Sequence, residues 1–250
     1  MKKIKTEYIE EENNKKSLVI EKNIEKALIF DSGALISFSI NGITDIIKKL
    51  KSTFSGKFLI TNEVKKEVID NPIKIKKFQL EALKIRELLK EKVLELPDSL
   101  GIDNYKVQEY TDKFLQIANS IFIGDNKNIH IIDAGEASCL GLSKLLREIN
   151  IKNLIVIDER TTRMLVEKHE NLKEFLEKKL HVKILVNHEN LKYFQNFSII
   201  RSPELAYVAW KKNMVDLKDG PIVLDALLYA LKFKGASISE EEIREIERIK

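Results

Sequence analysis

Ala27-Leu28-Ile29-Phe30-Asp31-Ser32-Gly33-Ala34-Leu35-Ile36 decides the fold. Four apolar residues in a row, short and unalternating, suit a strand buried on both faces of a parallel sheet. Asp31-Ser32-Gly33 stops the run, and a helical spacing follows through Leu35, Ile36 and Phe38. Working outward, the same unit recurs. Lys57-Phe58-Leu59-Ile60 stops at Thr61-Asn62 and leads into a helix broken by Asn71-Pro72. Asn153-Leu154-Ile155-Val156-Ile157 is the strongest strand and stops at Asp158-Glu159-Arg160, again before a helix. Val182-Lys183-Ile184-Leu185-Val186 reads as a fourth core strand, and Val93-Leu94-Glu95-Leu96 as a short one. Amphipathic spacing predicts helices over 73–91, 104–122 and 134–149.

Strands alternating with helices specify an α/β fold with a central, mostly parallel sheet. Right-handed crossovers then put the strand C-termini on one edge, where ligands bind. After residue 198 the pattern becomes helical. Ser202-Pro203 opens one helix, residues 222–234 are apolar and end at Gly235, and Ser239-Glu240-Glu241-Glu242 is a capping box opening the last. The expected organisation is an N-terminal extension (1–24, with a short edge strand at 17–20), an α/β domain (25–198), and helices packed on it (199–250).

Composition narrows the function classes. With 44% hydrophobic and 33% charged residues, the chain can bury a sizeable core. A single cysteine, Cys139, excludes an internal disulfide framework and a cysteine-based zinc site. No apolar run reaches the ~20 residues of a membrane span. The basic start is followed by a polar segment where a signal peptide would be apolar, so a cytoplasmic location is expected. The net charge of +4 permits nucleic-acid binding without requiring it. No phosphate-binding glycine loop follows a strand, and the first strand does not end in the DxDx of an aspartyl-phosphate enzyme.

The acids fall where the strands end. Asp31 and Asp158 each follow a core strand. Glu63 and Glu67 share a helix face one turn apart, and Asp133 and Glu136 open the helix at 134. Singly each has an ordinary reading: Asp31 and Asp158 as N-caps, Asp133-x-x-Glu136 as a capping box, Glu63 as a first-turn acid. Asp225 in the apolar C-terminal helix reads as a packed, paired core group. Gathered at one edge, however, carboxylates repel unless a cation joins them, and hard divalent cations take oxygen ligands.

Four segments resemble the PIN-domain nucleases: residues 28–36, Ile60-Thr61-Asn62-Glu63-Val64-Lys65-Lys66-Glu67-Val68, Asp133-Ala134-Gly135-Glu136-Ala137-Ser138, and Leu154-Ile155-Val156-Ile157-Asp158-Glu159-Arg160. Their order covers roughly residues 27–187. The resemblance implies a three-layer PIN-like domain in a larger, archaeal-type member with a helical C-terminal extension. It implies Mg²⁺ or Mn²⁺ held by Asp31, Glu136 and Asp158, with Glu67 completing the catalytic set. The expected activity is endonucleolytic hydrolysis of phosphodiester bonds, in RNA before DNA. Ser32, Arg160 and Arg163 are candidate substrate contacts. The alternative is a catalytically silent nucleic-acid- or protein-binding regulator on the same fold, with the C-terminal helices as a homodimer or partner surface.

Overall fold

The computed structural model describes residues 26–249; the N-terminal extension and its expected strand at 17–20 lie outside them. Strand β1 (Lys26–Phe30) is buried from Ala27 on and leads through Asp31 into α1 (Ser32–Ile40). Helix α2 (Thr44–Thr53) returns the chain to β2 (Lys57–Leu59), and α3 (Asn62–Lys65) widens directly into a π-helical turn, Lys66–Asp70. Helix α4 (Gln79–Lys90) is shorter than the expected 73–91, because Asn71-Pro72 starts two single 3₁₀ turns first. Helices α5 (Asn104–Ala118) and α6 (Ala134–Glu148) bracket a hairpin of β3 (Phe122–Gly124) and β4 (Lys127–Asn128). Strand β5 (Lys152–Val156) follows, then α7 (Arg160–Glu167), α8 (His169–Leu180), β6 (Ile184–Val186) and α9 (His188–Leu191). Strand β7 (Ile199–Ile200) precedes α10 (Ser202–Lys211), α11 (Pro221–Phe233) and α12 (Glu240–Arg248).

The main sheet is wholly parallel, in the order β2-β1-β5-β7. The expected fourth core strand at 182–186 is not in it. Strand β6 pairs antiparallel with β3 in a separate small sheet. Its side chains alternate, Ile184 buried and Leu185 67% exposed, as a half-covered antiparallel strand requires. The fourth parallel strand is β7, whose two residues are too short to carry a period. Residues 199–250 therefore open inside the sheet before becoming helical. The stretch at 93–96 contributes a single parallel bridge, Leu59 to Glu95.

The apolar runs of β1, β2 and β5 form the core with α1, α5 and α6, where Ile29, Phe30, Leu35, Leu59, Ile60 and Ile155 are fully buried. A smaller cluster of Tyr207, Leu224, Leu228, Ile238, Ile243 and Ile246 joins α10, α11 and α12. Asn41 Nδ2 donates to the Ala230 carbonyl and Ser37 Oγ to the Lys234 carbonyl, which ties α1 to the end of α11. Among the described residues no helix is long and apolar enough to cross a membrane.

Candidate functional site

The chain runs from β1 outward to β2 and later returns to the other side of β1 as β5, so the strand order reverses between β1 and β5. In open α/β sheets that reversal leaves a crevice beyond the strand C-termini. Asp31 ends one flanking strand and Asp158 follows the other, in a register that pairs Phe30 with Val156. A Cβ added at Gly33 would lie 3.5 Å from Asp31 Oδ2 and 4.0 Å from Asp158 Cβ, so both acids border this glycine.

Asp31 is 2% exposed. Its Oδ2 accepts from the Gly33 N–H at 3.2 Å, making it the N-cap of α1. Its Oδ1 is buried and meets no hydrogen-bond donor among the described residues. Burial, then the charge of Glu136, pushes its pKa up to about 8. Glu67 adds to the rise, and the amides of Gly33 and Ser32 oppose it. A carboxylate with a free oxygen, taken out of water beside two other acids, is unstable as an anion unless a cation is supplied.

Glu67 rides on the π-helical turn after α3, the kind of local widening that recurs at functional sites. Burial raises its pKa, and the nearby Ser32 hydroxyl and Gly135 amide oppose the rise. Gly135 belongs to the first turn of α6, so Glu67 sits at that helix's positive end. A buried chain of hydroxyls fixes the two elements together. Val64 N–H donates to Thr61 Oγ1 at 3.2 Å, Thr61 and Ser138 meet at 2.6 Å, and Ser138 Oγ donates to the Gly135 carbonyl at 2.6 Å. Because Ser138 gives its proton to Gly135, Thr61 must be the donor in the middle link.

Glu136 accepts from the Asp133 N–H at 2.8 Å, so its capping-box role is real; burial is the main cause of its raised pKa. Asp133 itself is exposed and pairs with His130 at 2.7 Å. Glu63 pairs with Lys66 on the helix surface.

Asp158 is not the N-cap that its position alone would suggest. Glu159 caps α7 by accepting from Thr162 N–H at 2.7 Å. Asp158 is 2% exposed and turns to the neighbouring strand's helix, where Oδ1 accepts from Ser202 N–H at 2.8 Å and Oδ2 from Ser202 Oγ at 2.6 Å. Burial raises its pKa and these two bonds oppose the rise. Ser202 is the first residue of α10, after the N-cap Arg201, and both its donors go to the aspartate that follows β5. Ser202 carried only a helix-start signal in the sequence; its pairing to Asp158 depends on the β5–β7 register.

Of the expected substrate contacts, Ser32 lies within the acidic edge, near enough to Glu67 to hold its pKa down. Arg160 and Arg163 line a groove of about 840 Å³ between α7, α8 and residues 236–239. The Arg160 guanidinium lies 4.8 Å from the Phe175 ring centroid. Arg163 is engaged already, donating to the Ser237 carbonyl at 2.7 Å. Asp225 faces outward beside Glu247 instead of entering the core. At the sheet edge Asp31 therefore lies in the field of Glu136 and Glu67, while Asp158 is held at its side by Ser202. Among the described residues no three His, Cys, Asp or Glu side chains form a ready-made metal-binding group.

Comparison of the chain with protein-family models, with curated proteins and with solved structures gave no significant match.

Proposed function

We propose that the chain is a divalent-metal-dependent endonuclease on a three-layer PIN-like fold, hydrolysing phosphodiester bonds in RNA in preference to DNA. The observation that carries this reading is the unpartnered, buried Oδ1 of Asp31 in the field of Glu136 and Glu67. The donors are all oxygen, which suits Mg²⁺ or Mn²⁺. Mg²⁺ uses one or two carboxylates and completes its shell with water and phosphate oxygens, so a closed cage of three side chains is not required. Asp31 and Glu136 would hold the cation, with Asp158 beside them. When bound, the cation neutralises charge on the phosphate and acidifies water.

The chain's own groups do the rest. Glu67, with the Ser32 hydroxyl and the Gly135 amide beside its carboxylate, would take a proton from water at its free lone pairs. Arg160, on the rim of the groove beside α8, offers a planar donor fork to a backbone phosphate. Incubation with mixed RNA and Mn²⁺ or Mg²⁺, with and without chelator, tests the reading. Cleavage should need metal and should vanish in Asp31→Asn. Cleavage that survives unchanged in both Asp31→Asn and Glu136→Gln would overturn it.

One observation favours the silent regulator instead: both oxygens of Asp158 are already bonded to Ser202. That reading gains if the wild-type chain binds RNA without cutting it under any divalent metal. Exposed Ile222 and Phe233 on α11 would then be its partner surface.

A further inference from the structure

We infer that Ser202 is a positioning residue of the acidic edge, acting through Asp158, and that residues 199–250 are thereby part of the site. The inference rests on the metal-site reading above. Ser202 is completely buried and contributes both of its donors to one carboxylate, its N–H to Oδ1 and its hydroxyl to Oδ2. Two bonds from one residue fix both the direction and the plane of the Asp158 carboxylate. The C-terminal segment also holds the backbone of Asp158, where Ser237 N–H donates to its carbonyl at 3.3 Å. The Ser237 carbonyl in turn accepts from Arg163 at 2.7 Å and from Arg201 at 3.2 Å. Arg201 is anchored by Glu204 within α10 and by Glu242 of α12, each at 2.6 Å. A continuous set of bonds therefore runs from the last helix to Asp158.

Each carboxylate oxygen has a second lone pair. A carboxylate gripped from one side by Ser202 can still accept, on its other side, from a water bound to a cation near Asp31. In that role Asp158 orients the cation's water shell instead of entering it, and Ser202 sets where its lone pairs point. Groups of this kind commonly change metal affinity or activity about 10–100-fold when lost.

Calorimetric titration of the full chain with Mn²⁺, joined to steady-state cleavage of RNA, decides the matter. Ser202→Ala should weaken Mn²⁺ binding about 10–100-fold and lower kcat with KM unchanged. Ser202→Thr, which keeps the hydroxyl, should restore both. Ser143→Ala is the control, since it removes a buried hydroxyl bonded to Asn153 at 2.6 Å, outside the site. If Ser202→Ala loses melting temperature as Ser143→Ala does, and neither Mn²⁺ affinity nor kcat, Ser202 serves only the stability of the α10 start and the inference fails alone. If the wild-type chain itself takes up no Mn²⁺, the metal-site reading fails and the inference with it. Should Ser202→Ala not fold, Ser202→Cys keeps the backbone donor and a weaker side-chain one, and the same comparison applies.

Discussion

Gly135 makes room for Glu67: a Cβ at 135 would stand 2.7 Å from Glu67 Oε2 and 2.8 Å from Oε1. Those distances are shorter than any tolerated carbon–oxygen contact, so a side chain there expels the carboxylate from the α6 N-terminus. Glu67 is long and can swing away, which keeps the cost to the fold small. Gly135→Ala should therefore leave the melting temperature unchanged or slightly raised, since alanine improves helix stability by up to about 1 kcal/mol. It should cut RNA cleavage about tenfold or more. A Gly135→Ala protein that cleaves at the wild-type rate would place Glu67 outside the chemistry.

The buried Asp31 makes stability depend on pH in an unusual direction. Its pKa rises on folding from 3.8 to about 8. Between those values the folded chain keeps a proton that the unfolded chain has released, so stability is lost as pH rises. The loss approaches about 1.4 kcal/mol per pH unit for one such group and levels off above pH 8. In chelator, the melting temperature should fall from pH 5 to pH 8. Asp31→Asn should flatten that fall and be the more stable protein at pH 8. Added Mn²⁺ should stabilise the wild-type chain more at pH 8 than at pH 5, because it competes with the proton. Calorimetric melts at the two pH values, with and without metal, measure all three. A wild-type curve as flat as that of Asp31→Asn would show that Asp31 is not held neutral.

Strands β1 and β5 are legible in the sequence because burial on both faces leaves unbroken apolar runs, and Asp31 and Asp158 are legible as the residues that end them. Neighbouring parallel strands bring those two together whatever the helices do. Ser202 is not legible, because its contact with Asp158 comes from the register of a two-residue strand. The reading of 182–186 as a core strand failed for a related reason: apolar content marks a strand, but only its partner decides the sheet. Asp225 misled because Ile222 and Ala226, beside it on the same exposed face of α11, look like core in one dimension. Glu67 could be preferred over Glu63 only by resemblance, since the π-helical turn that rotates it toward Gly135 leaves no mark in the spacing.

Cys139 lies behind the acids, with its thiol 3.8 Å from the Phe30 carbonyl and no exposed surface. Burial, reinforced by the charges of Asp31, Glu136 and Glu67, pushes the thiol pKa up well above its usual value. The reactive form is the thiolate, so the native chain should resist a thiol-specific reagent. Labelling should proceed only in denaturant and follow the unfolding transition. Rapid labelling of the folded protein would mean that α6 opens locally and exposes the base of the site.

The link between Thr61 and Ser138 joins the second strand's exit to the helix that carries Glu136. Removing one partner leaves the other buried hydroxyl without its bond, which costs more than the bond's net worth. Ser138→Ala and Thr61→Val should each lose about 1–3 kcal/mol in denaturant melts. Because the two hydroxyls serve one another, the double variant should lose less than the sum of the singles, with a coupling of about 1 kcal/mol. Ser138→Ala should also reduce cleavage more than its stability loss predicts at a temperature where it is fully folded. The hydroxyl chain is what keeps Gly135 beside Glu67, and a loosened α3 lets that carboxylate drift. Strict additivity of the two losses would show that the hydroxyls act independently and that the site does not depend on their bond.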